Sequence, residues 1–302
     1  MTGRSRLRVR GRLLAFVLLA SAFVGANGLA GESAALGAPT AAVDRAAGKK
    51  AASWLAGRPT AAMSPGLQSD VIVALEHAGA RPRALRPRAN RLARLGPGYA
   101  TTAGAAAKVA LAADAAGLDP GRLRGVDYLR RITTRYRGGR YGRSSFDQAL
   151  SMLALDAAGR PIPRATRTFL ASRRGSGGWG FDLRRGGKDE VDSTALIVVA
   201  LRAAGVPERA PVIRGAMAWL ARQRNSAGGY AVAGGGRRTG ANATALVIQA
   251  EIAVGRRPNR KTLAALRRLQ AGDGSIRFTS AQAGDRGIAT AGAIPALMGR
   301  PY

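Results

Sequence analysis

Two kinds of helix-like segment alternate along the chain from about residue 45 onwards. Segments of the first kind set Arg or Lys between apolar residues at helical spacing and end near an aromatic residue or a leucine, as at Trp54-Leu55 and Trp219-Leu220. Segments of the second kind are apolar on nearly all sides, as in residues 194–201. A helix with one polar face lies at a surface, whereas a helix that is apolar all round is buried. The pattern therefore predicts outer and inner helices in alternation.

The inner segments share one register, marked by an alanine that recurs at intervals typical of a helix–turn–helix repeat. The low aromatic content of 5% and the abundance of Ala, Leu and Val also favour packed helices over strands. We therefore predict an all-α fold, an (α/α)6 toroid of six helical hairpins. An open solenoid of the same hairpins is the alternative, but inner helices this apolar need the cover that closure gives. The alanines of the column are Ala74, Ala110, Ala154, Ala200, Ala250 and Ala296.

Clusters of glycines with an aromatic residue lie between outer and inner segments, where glycine permits a tight turn and the ring fills space between hairpins. In one of them Gln223 precedes a Gly-Gly-Tyr turn at residues 228–230. This arrangement resembles the QW-type repeat of the terpene-cyclase and prenyltransferase superfamily, and the resemblance implies an α/α toroid over about residues 45–302. Residues 289–302 are also similar to the last inner helix of the α-domain of cobalamin carriers, a secreted and non-catalytic group.

An acidic segment with the sequence Glu-Val-Asp-Ser-Thr-Ala occupies residues 190–195, at the start of an apolar inner segment. It resembles the Asp-x-Asp-Asp-Thr-Ala motif of class II terpene cyclases such as squalene-hopene cyclase. The resemblance implies that Asp192 protonates the substrate with Glu190 as its partner, while Ser193 stands where the family has its third acid. Acids at the start of a helix also fit N-capping and the helix dipole, so both interpretations stay open.

The inner helices are expected to begin at the same end of the ring, where polar side chains and the positive ends of helix dipoles would collect. A ligand with hydroxyl, amide or anionic groups would fit that end. We predict no cofactor and no metal, because the chain has no Cys and its one histidine is His77. The side chains predicted to bind the ligand are Asp147, Gln148, Asp192, Thr194, Asn242 and Thr244.

These features predict two functions from different classes. The first is an exported, non-catalytic binding or interaction protein that holds an unknown small-molecule or polyprenoid-like ligand at the polar end of the toroid. The alternative is a class II terpene cyclase-like enzyme with Asp192 as the protonating acid. The missing third acid and the sparse aromatic residues favour the first function, because aromatic rings stabilise carbocations.

The chain is strongly basic, since 48 Lys and Arg residues against 17 Asp and Glu residues give a net charge of +31. Such a charge predicts attraction to polyanions such as cell-wall polymers. The arginines are scattered along the whole chain without interleaved aromatic residues, so no specific nucleic-acid site is predicted.

The N-terminus has the three regions of a secretory signal: basic residues up to Arg12, an apolar run at residues 13–24, and then small residues. We predict a signal peptide at residues 1–30, a flexible lead-in at residues 31–43 and the toroid domain at residues 44–302. The protein would be secreted or extracytoplasmic, with no membrane span after signal removal. An uncleaved N-terminal anchor is the alternative, although the apolar run is shorter than the ~20 residues of a membrane span.

Overall fold

The computed structural model describes residues 37–232 and 237–302, and within these ranges the chain forms twelve α-helices and no β-strand. The predicted signal peptide and residues 31–36 lie outside the described residues. Helix α1 begins at Gly37, which corrects the prediction of a flexible lead-in for residues 37–43. The helices are α1 Gly37–Ala56, α2 Pro65–His77, α3 Pro82–Tyr99, α4 Ala103–Ala115, α5 Tyr128–Thr133, α6 Ser145–Ala157, α7 Arg164–Ser172, α8 Val191–Ala203, α9 Pro211–Arg222, α10 Ala241–Ala253, α11 Arg260–Arg267 and α12 Arg286–Leu297.

The helices form six hairpins, each made of an odd-numbered outer helix and the even-numbered inner helix that follows it. Each inner helix contacts the inner helix of the next hairpin, and α12 contacts α2. The inner helices therefore form a closed ring, which confirms the predicted all-α toroid and excludes the open solenoid. The ring order α2, α4, α6, α8, α10, α12 sets α8 opposite α2 and α10 opposite α4.

Burial follows the two predicted kinds of segment. Inner helix α8 buries every residue from Ser193 to Leu201. Outer helix α3 buries one stripe with the spacing of a single helical face, formed by Leu85, Ala89, Leu92, Ala93 and Gly96.

None of the helices in the described part of the chain is both long and apolar enough to cross a membrane.

The inner helices are nearly equal in length, at 13 residues for five of them and 12 for α12. Each is followed by a glycine in the left-handed region, which glycine adopts without a Cβ clash. In α2 the N–H of Ala80 then donates to Leu75 O at 2.9 Å, the bond of a Schellman motif. The glycines, with φ from +63° to +97°, are Gly79, Gly117, Gly159, Gly205, Gly255 and Gly299.

Candidate functional site

A chamber of about 190 Å³ lies on the axis of the ring, and most of the side chains in its wall are apolar. Its lining falls into levels that follow the inner helices from their N-termini, with ~5.4 Å between successive turns. The first helical turn contributes Phe146, Asp192, Asn242 and Ile288, the second turn contributes Asp70, Lys108, Leu150, Leu196 and Leu246, and Val73, Gln249, Pro295 and Tyr302 lie deeper.

Asp192 is the second residue of α8, and its side chain lines this chamber. Its Oδ1 atom is buried and has no hydrogen-bond partner among the described residues. Burial raises the pKa of Asp192 to about 6, and the nearby negative charge of Glu190 raises it too. A carboxyl group with that pKa is partly protonated near neutral pH, so Asp192 can donate a proton into an apolar space.

Glu190 immediately precedes α8. Its carboxylate accepts a hydrogen bond from the side chain of Ser193 and none from the backbone N–H groups of the first turn. Ser193 Oγ donates to Glu190 Oε2 at 3.2 Å and accepts from Ser145 Oγ at 2.8 Å, which ties α8 to α6. The side chain of Glu190, the N-cap residue, makes no capping hydrogen bond. The N-capping interpretation is therefore wrong for Glu190, which acts on Asp192 through its charge.

Thr194 and Thr244 fasten turns, which corrects their predicted role in ligand binding. Thr194 Oγ1 accepts from Trp179 N at 2.9 Å and donates to Trp179 O at 3.3 Å. Thr244 Oγ1 makes the same two bonds with Tyr230, at 3.1 and 3.4 Å. Both threonines are fully buried, and each follows a chamber-lining residue by two positions. Two residues turn a helix by ~200°, so a side chain at that position points away from the axis.

Gln148 and Asp147 are also bound to backbone groups, and neither lines the chamber, which corrects their predicted role. Gln148 Oε1 accepts from Tyr141 N at 3.0 Å, and its Nε2 donates to Gly139 O at 3.1 Å. Asp147 Oδ1 accepts from Gly104 N in the first turn of α4 at 2.9 Å. Gln148 therefore holds the turn of its own hairpin, and Asp147 joins that hairpin to the preceding one.

Of the six side chains predicted to bind a ligand, Asp192 and Asn242 line the chamber. The structure adds Lys108 and Gln249, which the sequence analysis did not single out. Lys108 Nζ donates to Asp70 Oδ2 at 2.7 Å. Gln249 follows Asn242 by seven residues in α10, a spacing of two turns that puts both on one face of the helix. That spacing is the signal in the sequence that could have identified Gln249.

The charges of the chamber wall comprise one ion pair and one separate acid. Burial lowers the pKa of Lys108, but the charge of Asp70, its hydrogen bond to Lys108 and the charge of Tyr99 together outweigh burial and leave the pKa raised. Lys108 therefore stays charged and paired. Within the described residues no group of three His, Cys, Asp or Glu side chains is placed to hold a metal ion.

Tyr302 closes the deep end of the chamber. His77 Nε2 lies 2.9 Å from Pro301 O, and the rings of His77 and Tyr302 are 6.4 Å apart between centroids. Tyr302 lines both the chamber and a wider opening of about 550 Å³ among the C-terminal ends of the inner helices. It therefore separates the chamber from the opening at that end of the ring.

Searches against protein-family models and against curated proteins gave no match. The fold is similar to solved structures of the type II terpene cyclase MstE from Scytonema. A substituted form bound to the substrate geranylgeranyl dihydroxybenzoate matches with a TM-score of 0.63 and 15% identity, over 87% of this chain and 98% of that chain. Another substituted form, bound to the product merosterolic acid A, matches with a TM-score of 0.60 and 14% identity, over 87% and 98% of the two chains. The likeness shows a terpene cyclase-like fold, and the QW-type and cobalamin-carrier resemblances stay predictions.

Proposed function

We propose that this protein is a class II terpene cyclase-like enzyme that binds a polyprenoid-like substrate in the chamber and protonates it through Asp192. The proposal is carried by one observation, a protonatable carboxyl group with an unpartnered oxygen beside an apolar chamber. The likeness in fold supports it, because the similar structures hold a geranylgeranyl substrate and its product. Both observations favour this alternative over the non-catalytic binding protein that the sequence favoured.

The reaction begins when the O–H bond of Asp192 breaks and its proton adds to one carbon of an alkene. The π electrons form the new C–H bond and leave a carbocation at the other carbon. A second double bond of the same chain attacks this carbocation, which closes a ring. The last carbocation then loses a proton to a water molecule and forms a new double bond, and Asp192 regains a proton from solvent, so the product is an isomer of the substrate.

The surroundings of Asp192 suit this first step. Burial, aided by the charge of Glu190, raises the pKa of Asp192 to about 6, so part of the protein carries the proton near neutral pH when an alkene binds. The carboxylate left after transfer lies in the first turn of α8, where the positive end of the helix dipole stabilises it. Leu150 and Leu196 keep the space apolar, and the ring of Phe146 in the same wall can stabilise a cation.

The test is the Asp192→Asn variant, which keeps the shape of the side chain and removes its acidic proton. Wild type and variant are incubated with squalene, with geranylgeranyl diphosphate and with the alcohol geranylgeraniol, and products are identified by mass spectrometry. We expect cyclised product from the wild type and a fall of ~10²-fold or more in the variant, the usual cost of losing a general acid. The melting temperature should not fall.

The control is Asp182→Asn, which alters a loop acid whose side chain is 47% exposed. This variant should keep the wild-type rate. Equal product from wild type and Asp192→Asn would contradict the choice of acid. Absence of cyclised product from the wild type with all three substrates would contradict the enzymatic function itself.

Two other expectations stay predictions. Export rests on residues 1–30, which lie outside the described residues, and attraction to a cell-wall polyanion rests on the net charge of +31. Binding to a polyanion should collapse as salt is raised, whereas binding in an apolar chamber should not. Salt dependence therefore distinguishes the basic surface from the chamber.

A further inference from the structure

Helix α10 presents two amide side chains to the chamber, and neither carbonyl oxygen has a hydrogen-bond partner among the described residues. Asn242 Oδ1 lies in the first turn of the helix, and Gln249 Oε1 lies two turns deeper. Gln249 is only 1% exposed, and its Nε2 donates to Gly292 O of α12 at 3.3 Å, which orients the amide. Its Oε1 is therefore a buried acceptor held in the chamber wall.

An unpaired buried acceptor is destabilising, because it loses its hydrogen bonds to water and gains none in return. A leucine of similar size would fit an apolar wall without that penalty, as Leu246 does one turn away on the same helix face. The glutamine at this position is explained by a donor that enters the chamber with a ligand. A hydroxyl group is such a donor.

The charges of the chamber favour a neutral donor over an anion. Lys108 is neutralised by Asp70, whose carboxylate lies 2.7 Å from Nζ. Asn242 Oδ1 and Gln249 Oε1 are further acceptors in the wall, and Asp192 becomes negative once it has given up its proton. A diphosphate or carboxylate group in this space would face acceptors and carboxylates.

We infer that the substrate carries a hydroxyl group, and that Gln249 selects it by accepting a hydrogen bond from that hydroxyl. This inference rests on the proposed function and names its substrate class, an isoprenoid alcohol. Asn242 and Asp192 are both the second residue of their helices, and Gln249 follows Asn242 by seven residues. The hydroxyl group therefore binds ~10 Å deeper than the alkene that Asp192 protonates.

The first experiment compares ligands that differ in the donor. Farnesol, farnesyl methyl ether and farnesyl diphosphate are each titrated into the Asp192→Asn variant, in which turnover does not disturb the measurement. The alcohol should bind about tenfold more tightly than the ether, which keeps the oxygen but lacks the donor. The diphosphate should bind no more tightly than the ether. Equal binding of alcohol and ether, or a preference for the diphosphate, would overturn the inference.

The second experiment introduces Gln249→Leu in the same background. This variant should bind the ether as before and lose the preference for the alcohol. Its melting temperature should not fall, because the substitution removes a buried unpaired acceptor. A glutamine with a merely structural role would give the opposite result, a lower melting temperature with the preference intact, and that outcome would overturn the inference.

Gln148→Leu is the matched control, since Gln148 is a buried glutamine of another inner helix that uses both amide atoms on backbone groups. This variant should lose stability and keep the preference for the alcohol. Binding and turnover also separate the two proposals. A preference that disappears in Gln249→Leu, in a protein that forms no cyclised product, would leave the hydroxyl site standing without the reaction. Product formation that depends on Asp192, without any preference for the alcohol, would remove the hydroxyl site alone.

Discussion

Asp147 and Asp192 lie in the first turns of neighbouring inner helices, and the ring uses them in opposite ways. Asp147 is the third residue of α6, and Asp192 is the second residue of α8. The carboxylate of Asp147 accepts from Gly104 N at 2.9 Å and from Arg143 N at 3.3 Å, and it completes a capping box with Ser144. The Oδ1 atom of Asp192 accepts a hydrogen bond from none of the described residues.

A difference of one helical position is enough to separate these two outcomes. A step of one residue turns a helix by ~100°, which moves a side chain from the axis of the ring into the space between helices. Gly104 permits the close approach of Asp147, because a Cβ at that glycine would lie 2.5 Å from Asp147 Oδ1. An acid satisfied by backbone N–H groups stabilises the ring, whereas an acid with one unpartnered oxygen at an apolar chamber is available for proton transfer.

The largest expected effect is a difference in stability between alanine variants of the two acids. Asp147→Ala loses the capping box and the bond to Gly104, so the free energy of unfolding should fall by about 2–3 kcal/mol. Asp192→Ala removes a carboxyl group whose Oδ1 has no partner, and its free energy of unfolding should fall by no more than ~0.5 kcal/mol below that of the wild type. Urea denaturation of both variants beside the wild type measures the difference. An equal loss in the two variants would assign both acids to the same structural role.

The fold could be predicted from the sequence because its signals recur in each repeat. Three signals predict the same helical hairpin in each repeat. They are the apolar inner segments, the basic outer segments and the alanine column that includes Ala74 and Ala296. An ambiguous repeat, such as the short outer helix Tyr128–Thr133, is then placed by its neighbours. Closure followed from burial, since an inner helix that is apolar all round must be covered on every side.

The site could not be predicted to the same depth. An inner helix that is apolar on all sides gives no indication of which of its faces points towards the axis of the ring. Thr194 and Asp192 are both polar and two residues apart, and no amphipathic stripe indicates which of them faces the axis. Lys108 shares its helix with Asp114, and Gln249 shares its helix with Asn242, Thr244 and Glu251, so polarity alone does not single out either residue. Their shared position on the chamber wall depends on helix rotation and ring closure together, which repeat spacing does not specify.

A smaller effect is expected from pH, and it acts through Asp192. The pKa of Asp192 is raised in the fold, mainly by burial, from its ordinary value of 3.8 to about 6. Folding therefore favours the protonated form, so its stabilising contribution is complete below pH ~4 and is lost as the pH rises through about 6. Between pH ~4 and pH ~8 the free energy of unfolding of the wild type should fall by about 1–2 kcal/mol relative to that of Asp192→Asn. Solvent screening keeps this loss below the full value of the pKa shift.

Urea denaturation of this pair across the pH range is the measurement, and Asp147→Asn is its control. A stability difference that grows towards acid pH would contradict the raised pKa. It would mean that the Asp192 carboxylate is stabilised by the fold, as an acid bound to backbone N–H groups would be, and that the two aspartates differ less than their contacts indicate.

The smallest expected effect concerns Glu190, the partner that the sequence motif assigns to Asp192. Glu190→Gln removes the negative charge, while the amide oxygen can still accept from Ser193 Oγ. The pKa of Asp192 should fall and yet remain above its ordinary value, because burial is the larger cause of its rise. The pH midpoint of the stability difference between Glu190→Gln and the double variant with Asp192→Asn measures this shift. A return of the Asp192 pKa to its ordinary value would mean that the charge of Glu190 causes the rise. A small fall would mean that burial on the axis of the ring causes it.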